Sequence, residues 1–181
     1  MNQNRKLYAL GAFFSAAGLV GSFWQLLDKL TLLKHPGANL SCNLNSVFDC
    51  GRVLTSHQYE VFGFPNAIIA LVMFTFFLTF SLAGLGGRLT KQFTLSALGL
   101  ALFMLGFINW FVFESIFRIH AMCLFCTVVG PSILIITALL LRLNQPYMSK
   151  WVQKAMSRGA DIFVWILMLV FWVSMTAIKL G

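Results

Sequence analysis

Long apolar stretches, separated by shorter polar connections, make up most of this 181-residue chain. A helix needs roughly 20 mostly apolar residues to cross the hydrocarbon core of a bilayer, and five stretches meet that requirement. They cover residues 7–27, 67–86, 93–113, 119–141 and 162–180. The pattern therefore predicts an all-α membrane protein with five spanning helices.

The composition supports the same interpretation. The chain is 59% hydrophobic and only 10% charged, whereas about a quarter of the residues in a soluble domain are charged. Its net charge of +8 does not indicate a nucleic-acid-binding protein, because the basic residues are scattered between the apolar stretches. We expect one domain over residues 1–181. The first stretch is rather long for a signal-peptide core and no clear small-x-small site follows it, so we interpret it as a retained helix, with cleavage as the alternative.

Positively charged residues indicate the orientation of the chain, since they are retained on the cytoplasmic side. They are concentrated at the N-terminus and in the second and fourth connections: Arg5, Lys6, Arg88, Lys91, Arg142, Lys150, Lys154 and Arg158. The N-terminus is therefore expected inside and the C-terminus outside. The connection over residues 28–66 then lies outside. It is the only long one, and because such loops are usually functional, we expect short helices here over the outer mouth of the bundle.

All four cysteines fall on the predicted outer side, where disulfides persist. Cys42 and Cys50 lie in the long loop, whereas Cys123 and Cys126 are expected four and seven residues into the fourth span. A CxxC at the start of a helix has a chemical use, because the helix N-terminus favours a thiolate at the first sulfur. The i, i+3 spacing also places both sulfurs on one face, where they can form an exchangeable disulfide. With the second pair in the loop, the motif predicts a thiol–disulfide relay.

Two other uses of these cysteines are compatible with the sequence. Two structural disulfides in a non-enzymatic membrane scaffold would employ the same four residues. The spacing His120-x-x-Cys123-x-x-Cys126, with His35 and His57 in the loop, also resembles metal-ligand spacing. Closed metal sites usually draw their ligands from polar, exposed turns, whereas two of these ligands would come from an apolar helix. We therefore expect no metal.

The loop sequence CNLNSVFDCGRVLTSHQYEVFGFPN and the later CLFC together resemble the vitamin K epoxide reductase family, most closely its bacterial members, which oxidise periplasmic thiol partners. The resemblance runs through residues 42–130. It implies a four-helix bundle around a quinone pocket, with the outer loop capping the site and a fifth transmembrane helix, as in some bacterial members. Vertebrate members have a tyrosine where this chain has Gly130, which argues against vitamin K epoxide as the substrate. Reduction of vitamin K or its epoxide is kept as the alternative enzymatic activity.

The resemblance also implies roles for single residues. Cys123 and Cys126 would be the active-site pair facing a quinone, either menaquinone or ubiquinone, and Cys42 and Cys50 would exchange with the partner. We expect Cys50 to attack Cys123 and free Cys126. The partner would be a thioredoxin-fold thiol protein on the outer side of a bacterial cytoplasmic membrane. It is expected to be separate rather than a fused domain, because this chain ends directly after the fifth stretch.

Three polar residues are candidates for contacts with the quinone ring, which needs a few polar partners in an otherwise apolar cavity. The resemblance places Ser56 near the headgroup. Asn66, at the start of the second span, and Asn109, near the outer end of the third, are candidates by residue type and position. Each also has an ordinary structural use, as a helix cap for Ser56 and Asn66 and in an interhelical hydrogen bond for Asn109.

Overall fold

The computed structural model describes residues 3–40, 42–43, 48–87 and 89–180, and every regular element in this part of the chain is helical. The α-helices are α1 (Gln3–Lys34), α2 (Cys50–Leu54), α3 (Asn66–Gly86), α4 (Lys91–Glu114), α5 (Cys126–Asn144), α6 (Lys150–Ser157) and α7 (Ala160–Leu180). Short 3-10 turns cover His57–Glu60 and Gln145–Tyr147, and a π-helical turn, Ser115–Ile119, extends α4. The predicted all-α class is confirmed.

Four of these helices, α1, α3, α4 and α5, are long and apolar enough to cross a membrane. α6 and α7 meet at a bend of 70°, and this pair adds a fifth span if it is counted as one. The multi-pass architecture predicted from the apolar stretches is thus confirmed.

Close packing of α1 against α3, and of α5 against both α1 and α4, holds the bundle together. Gly18 on α1 lies against the ring of Phe74 on α3, and Gly84 on α3 lies against the ring of Tyr8. Phe74 itself is fully buried. Because lipid is as apolar as the protein interior, such close packing supplies much of the attraction between spanning helices.

The loop between α1 and α3 folds back over one end of the bundle, which we call the cysteine end. α2 and the turn at His57–Glu60 form this cap, and their residues Leu54 and Tyr59 are buried. The buried ammonium of Lys29 on α1 fastens the cap. Its Nζ donates a hydrogen bond to the Leu54 carbonyl at 2.7 Å and pairs with Glu60 at 2.9 Å. The expected capping loop is therefore present.

The predicted loop over residues 28–66 starts too early, because α1 continues to Lys34. Asp28 and Lys29 are helical residues as a result. The helix keeps one face against the protein in this stretch, where Leu32 is buried. It ends just before the His35–Pro36 pair, since a proline disfavours the helical conformation in the residue that precedes it.

The fourth predicted span also starts too early, because α5 begins at Cys126 rather than at residue 119. The π-helical turn ends at Ile119, and the next residue, His120, has a left-handed backbone with φ of 56°. Beyond it, the Met122 carbonyl accepts a hydrogen bond from the Asp49 N–H of the loop at 3.1 Å. Residues 120–125 therefore form a connection that pairs with the cap instead of a helical turn.

Candidate redox site

The four cysteines meet at the cysteine end. Cys42 and Cys50 form a disulfide with their Cα atoms 5.8 Å apart, and Cys123 and Cys126 are free thiols. Sγ of Cys50 lies 3.4 Å from Sγ of Cys123. Cys42, Cys50 and Cys123 each expose 1% of their surface or less. The sulfurs thus form a buried chain from the loop to the start of α5.

Local backbone contacts hold Cys50 and Cys123 opposite each other. Cys50 is the first residue of α2, which the Asp49 side chain caps by accepting a hydrogen bond from the Arg52 N–H at 2.9 Å. The Asp49 N–H in turn donates to the carbonyl of Met122, the neighbour of Cys123 in the chain. One residue therefore both caps α2 and fixes the register between the loop and the CxxC.

The CxxC forms the turn that starts α5. The Cys126 N–H donates to the Cys123 carbonyl at 3.0 Å, so Cys123 lies just before the helix and Cys126 is its first residue. The hydrogen bond from the Cys126 thiol lowers the pKa of the Cys123 thiol, against the opposing effect of burial and with help from the Cys126 N–H and the Gln25 amide. Cys123 is thus biased toward the thiolate, which is the form that exchanges with a disulfide.

Gln25 is a functional candidate that the sequence reasoning missed. Its side chain is buried on α1; Nε2 donates a hydrogen bond to Sγ of Cys126 at 3.0 Å and contacts Sγ of Cys123 at 3.6 Å. An amide inside an apolar span is itself a signal, because a polar group in the membrane is costly without a partner. Here the partner is the cysteine pair.

The sequence reasoning also missed Asp28, which the predicted loop boundary had placed outside the helix. Oδ2 of Asp28 lies 3.2 Å from Sγ of Cys42. A carboxylate at this position repels negative charge on Cys42, so Cys50 is the sulfur that better accommodates such charge when the disulfide opens. The two loop sulfurs are therefore chemically inequivalent.

The three candidate quinone contacts, Ser56, Asn66 and Asn109, have different hydrogen-bond partners in the structure. The Ser56 hydroxyl donates to a backbone carbonyl of α2 at 2.7 Å. Asn109 accepts a hydrogen bond from the indole N–H of Trp172 at 3.0 Å and so ties α4 to α7. Asn66 donates to a carbonyl of the 3-10 turn at 2.8 Å and borders a cavity that reaches Cys126.

Two cavities border Cys126 from different sides. The bundle cavity, of about 40 Å³, lies between α1, α3, α4 and α5, and its wall includes Gln25, Tyr59 and Asn66. The α7 cavity, of about 400 Å³, lies between α4, α5 and α7, and its wall is mostly apolar. Of the four cysteines, Cys126 is therefore the one placed to contact a small molecule.

The distances between the cysteine sulfurs are suited to thiol–disulfide exchange. Within the described ranges, no three His, Cys, Asp or Glu side chains are grouped so that they could hold a metal ion. His120 is exposed, and its Nδ1 lies 3.1 Å from the Arg118 carbonyl. A disulfide and a thiol at contact distance can instead exchange partners.

A helical membrane bundle that holds a disulfide in contact with a pair of free thiols belongs to the class of membrane thiol–disulfide oxidoreductases. Residues 9–141 match the model of the vitamin K epoxide reductase family. The match covers more than half of the chain and includes all four cysteines, and the chain belongs to that family. α6 and α7 lie beyond the matched residues. A search of the curated proteins found no match.

Proposed function

We propose that the protein reoxidises a thioredoxin-fold protein on the outer side of a bacterial cytoplasmic membrane and passes the electrons to a membrane quinone. The observation that supports this most directly is the 3.4 Å separation between the sulfurs of Cys50 and Cys123. Two purely structural disulfides would not require the pairs to touch. A relay does require it, because each transfer is an attack of one sulfur on another.

The first transfer involves the loop pair. A thiolate of the partner attacks the Cys42–Cys50 disulfide, the partner's second thiol resolves the mixed disulfide, and the partner leaves with a disulfide of its own. Two electrons and two protons are then on Cys42 and Cys50. Asp28, 3.2 Å from Cys42, favours attack at Cys42 with Cys50 as the leaving group, since it disfavours negative charge on Cys42.

The second transfer moves the electrons inward, when Cys123 and Cys126 are joined in a disulfide. Cys50 attacks Cys123 and Cys126 leaves; Cys42 then attacks Cys50, which restores the loop disulfide and releases Cys123. The protons of the two loop thiols pass to Cys126 and Cys123. A loop disulfide beside two free thiols, the arrangement in the structure, corresponds to the state after this transfer.

The third transfer oxidises the inner pair, Cys123 and Cys126. Cys123 and Cys126 give up two electrons and two protons as they form a disulfide, and a quinone takes up both to become a quinol. Menaquinone and ubiquinone both satisfy this balance. We assign the contact with the quinone to Cys126, because it borders both cavities.

Paired cysteine variants test the order of the transfers. Cys42→Ser/Cys126→Ser retains Cys50 and Cys123, whose sulfurs are 3.4 Å apart, and should form their disulfide on mild oxidation. The matched variant Cys50→Ser/Cys126→Ser retains Cys42 and Cys123 and should stay reduced. Non-reducing peptide maps distinguish the two. Linking in the second variant and none in the first would exchange the roles of the loop cysteines.

Quinone reduction by the purified protein, with dithiothreitol or a thioredoxin-fold protein as the electron donor, tests the overall reaction. The wild type should produce quinol and Cys126→Ser should not. Quinol formation by Cys126→Ser at the wild-type rate would show that the assigned donor is wrong.

Reporter fusions test the proposed orientation. Reporters placed after residues 60, 90, 150 and 181 should read outside, inside, inside and outside. An inside reading at residue 60 would contradict the proposal, because a cytosolic loop would be held reduced.

A further inference from the structure

Among the described residues, Asp28 is the one whose carboxylate lies within hydrogen-bond distance of a cysteine sulfur. Its Oδ2 is 3.2 Å from Sγ of Cys42. The charge of Asp28 distinguishes the two loop sulfurs in the disulfide, but Cys42 also becomes a thiol when the loop is reduced. The carboxylate can then accept a hydrogen bond from that thiol, so it contacts the proton that Cys42 must lose before it exchanges again.

The extended α1 helix is what brings Asp28 to the cysteines, because it continues to Lys34. Gln25 lies three residues before Asp28, and residues at this spacing share one face of a helix. On that face the Gln25 amide donates to Sγ of Cys126 at 3.0 Å, whereas the Asp28 carboxylate meets Sγ of Cys42. One helix therefore presents a hydrogen-bond donor to the inner pair and an acceptor to the loop pair.

The surroundings of Cys42 leave its proton few ways out. Cys42 exposes 1% of its surface, so water does not reach the sulfur directly. Asp28 is half-buried and thus touches both the buried sulfur and the solvent. A thiol must lose its proton to attack a disulfide, and a positioned base accelerates such a step by roughly 100-fold to 10,000-fold.

We propose that Asp28 is the base that takes the proton from Cys42 in the second transfer. This rests on the proposed function and adds a catalytic residue to it. In the mixed disulfide between Cys50 and Cys123, the Cys42 sulfur attacks Cys50 while its proton passes to Asp28. The Cys42–Cys50 bond forms, the Cys50–Cys123 bond breaks, and its electron pair stays on Cys123. Cys123 takes up one proton and Asp28 releases one to the outer water, so the proton count of the transfer is unchanged.

The other ionisable groups near Asp28 do not compete for this proton. Burial raises the pKa of the Tyr59 phenol, and the inner thiols and Asp28 raise it further, so Tyr59 stays neutral and cannot act as a base. The ammonium of Lys29 on the same helix and the guanidinium of Arg52 on α2 are paired with other carboxylates. Asp28 is therefore the acceptor available to the Cys42 thiol.

The variant Asp28→Asn removes the base and keeps the size of the side chain. With reduced thioredoxin as the donor and a short-tailed quinone as the acceptor, quinol formation at neutral pH should slow about 100-fold. The ratio of variant to wild-type rates should rise about tenfold per pH unit below the ordinary thiol pKa of about 8.5, because unassisted ionisation of Cys42 rises in that way. A purely electrostatic role predicts the opposite sign, since loss of the negative charge favours the Cys42 thiolate and speeds its attack.

The trapped intermediate gives a second measurement, which a merely structural role would not change. The Cys50–Cys123 mixed disulfide should accumulate in Asp28→Asn during turnover, and acid quenching followed by non-reducing peptide mapping detects it. Asp28→Glu retains a carboxyl group and should restore the pH dependence of the wild type. Glu114→Gln is the matched control, because it removes a carboxylate whose partner is Arg118; it should show the wild-type pH dependence and accumulate no mixed disulfide.

Three results separate this assignment from the proposed function. An Asp28→Asn rate at or above that of the wild type would overturn the assignment, and so would a loss of rate with unchanged pH dependence and no mixed disulfide. A wild type that forms no quinol would overturn both the assignment and the proposed function. Quinol formation by the wild type, together with either of the first two results, would leave the proposed function standing and remove only the base.

Discussion

Replacing Lys29 by methionine tests how firmly the cap is fastened over the cysteine end. Lys29 exposes 6% of its surface, and its ammonium lies 2.7 Å from the Leu54 carbonyl and 2.9 Å from a carboxylate oxygen of Glu60. Leu54 is the last residue of α2, where a cation is favourable because the final carbonyls lack helical partners. Lys29→Met keeps most of the aliphatic side chain and removes the charge.

The contacts of Lys29 set the size of the expected effect. A hydrogen bond from a charged donor contributes about 1.5–3 kcal/mol. The ion pair adds at most about 1 kcal/mol, because the Glu60 side chain is 40% exposed and water screens it. Methionine avoids the desolvation of a charge, which offsets part of the loss. We expect the docked cap to lose about 2 kcal/mol, which increases the undocked population roughly 30-fold.

Hydrogen–deuterium exchange in detergent micelles measures that population through the amides of α2. In Lys29→Met these amides should exchange about 30-fold faster, while the amides in the middle of α3 and α4 keep their wild-type rates. Lys34→Met is the matched control, since Lys34 is an exposed lysine at the end of the same helix. Wild-type exchange of α2 in Lys29→Met, or an equal acceleration in Lys34→Met, would refute the argument that Lys29 holds the cap.

Two further substitutions test the site and the bundle. Gln25→Leu removes one of the hydrogen bonds that lower the pKa of Cys123, so the pH midpoint for alkylation of Cys123 should rise; an unchanged midpoint would show that Gln25 does not act on this sulfur. A Cβ atom at Gly18 would overlap the ring of the buried Phe74, so Gly18→Ala should lower the stability measured by thermal unfolding by about 1–3 kcal/mol. Gly99→Ala meets no heavy atom within 4 Å and should be neutral or stabilising by up to about 1 kcal/mol; equal losses in both variants would contradict the packing argument.

The spanning helices were predictable because the bilayer imposes their length and composition on the sequence. The second predicted span, residues 67–86, differs from α3 (Asn66–Gly86) by a single residue. The ends of α1 and α5 were harder to predict. The last turns of α1 mix charged and apolar residues, and the late start of α5 depends on pairing between Met122 and Asp49, which are far apart in the sequence.

The cysteines were recognisable from their residue type and spacing, whereas their neighbours depend on how helices meet. Gln25 is 98 positions from Cys123 in the chain, and no local pattern links the two. Asn109 makes the interhelical hydrogen bond that is the ordinary use of such a residue, and its partner Trp172 lies on α7. Side chains that act across helices become visible only when the packing is known.

Burial of the sulfur chain limits which thiols can react with it. Cys42, Cys50 and Cys123 each expose 1% of their surface or less, so a small thiol such as glutathione or dithiothreitol reaches a loop sulfur only in the fraction of molecules whose cap is undocked. In the proposed relay, a small thiol with free access to these sulfurs would pass its electrons to the quinone without the partner protein. Because the sulfurs are shielded, the rate of the proposed relay depends on the concentration of a partner protein that binds the loop and exposes its disulfide.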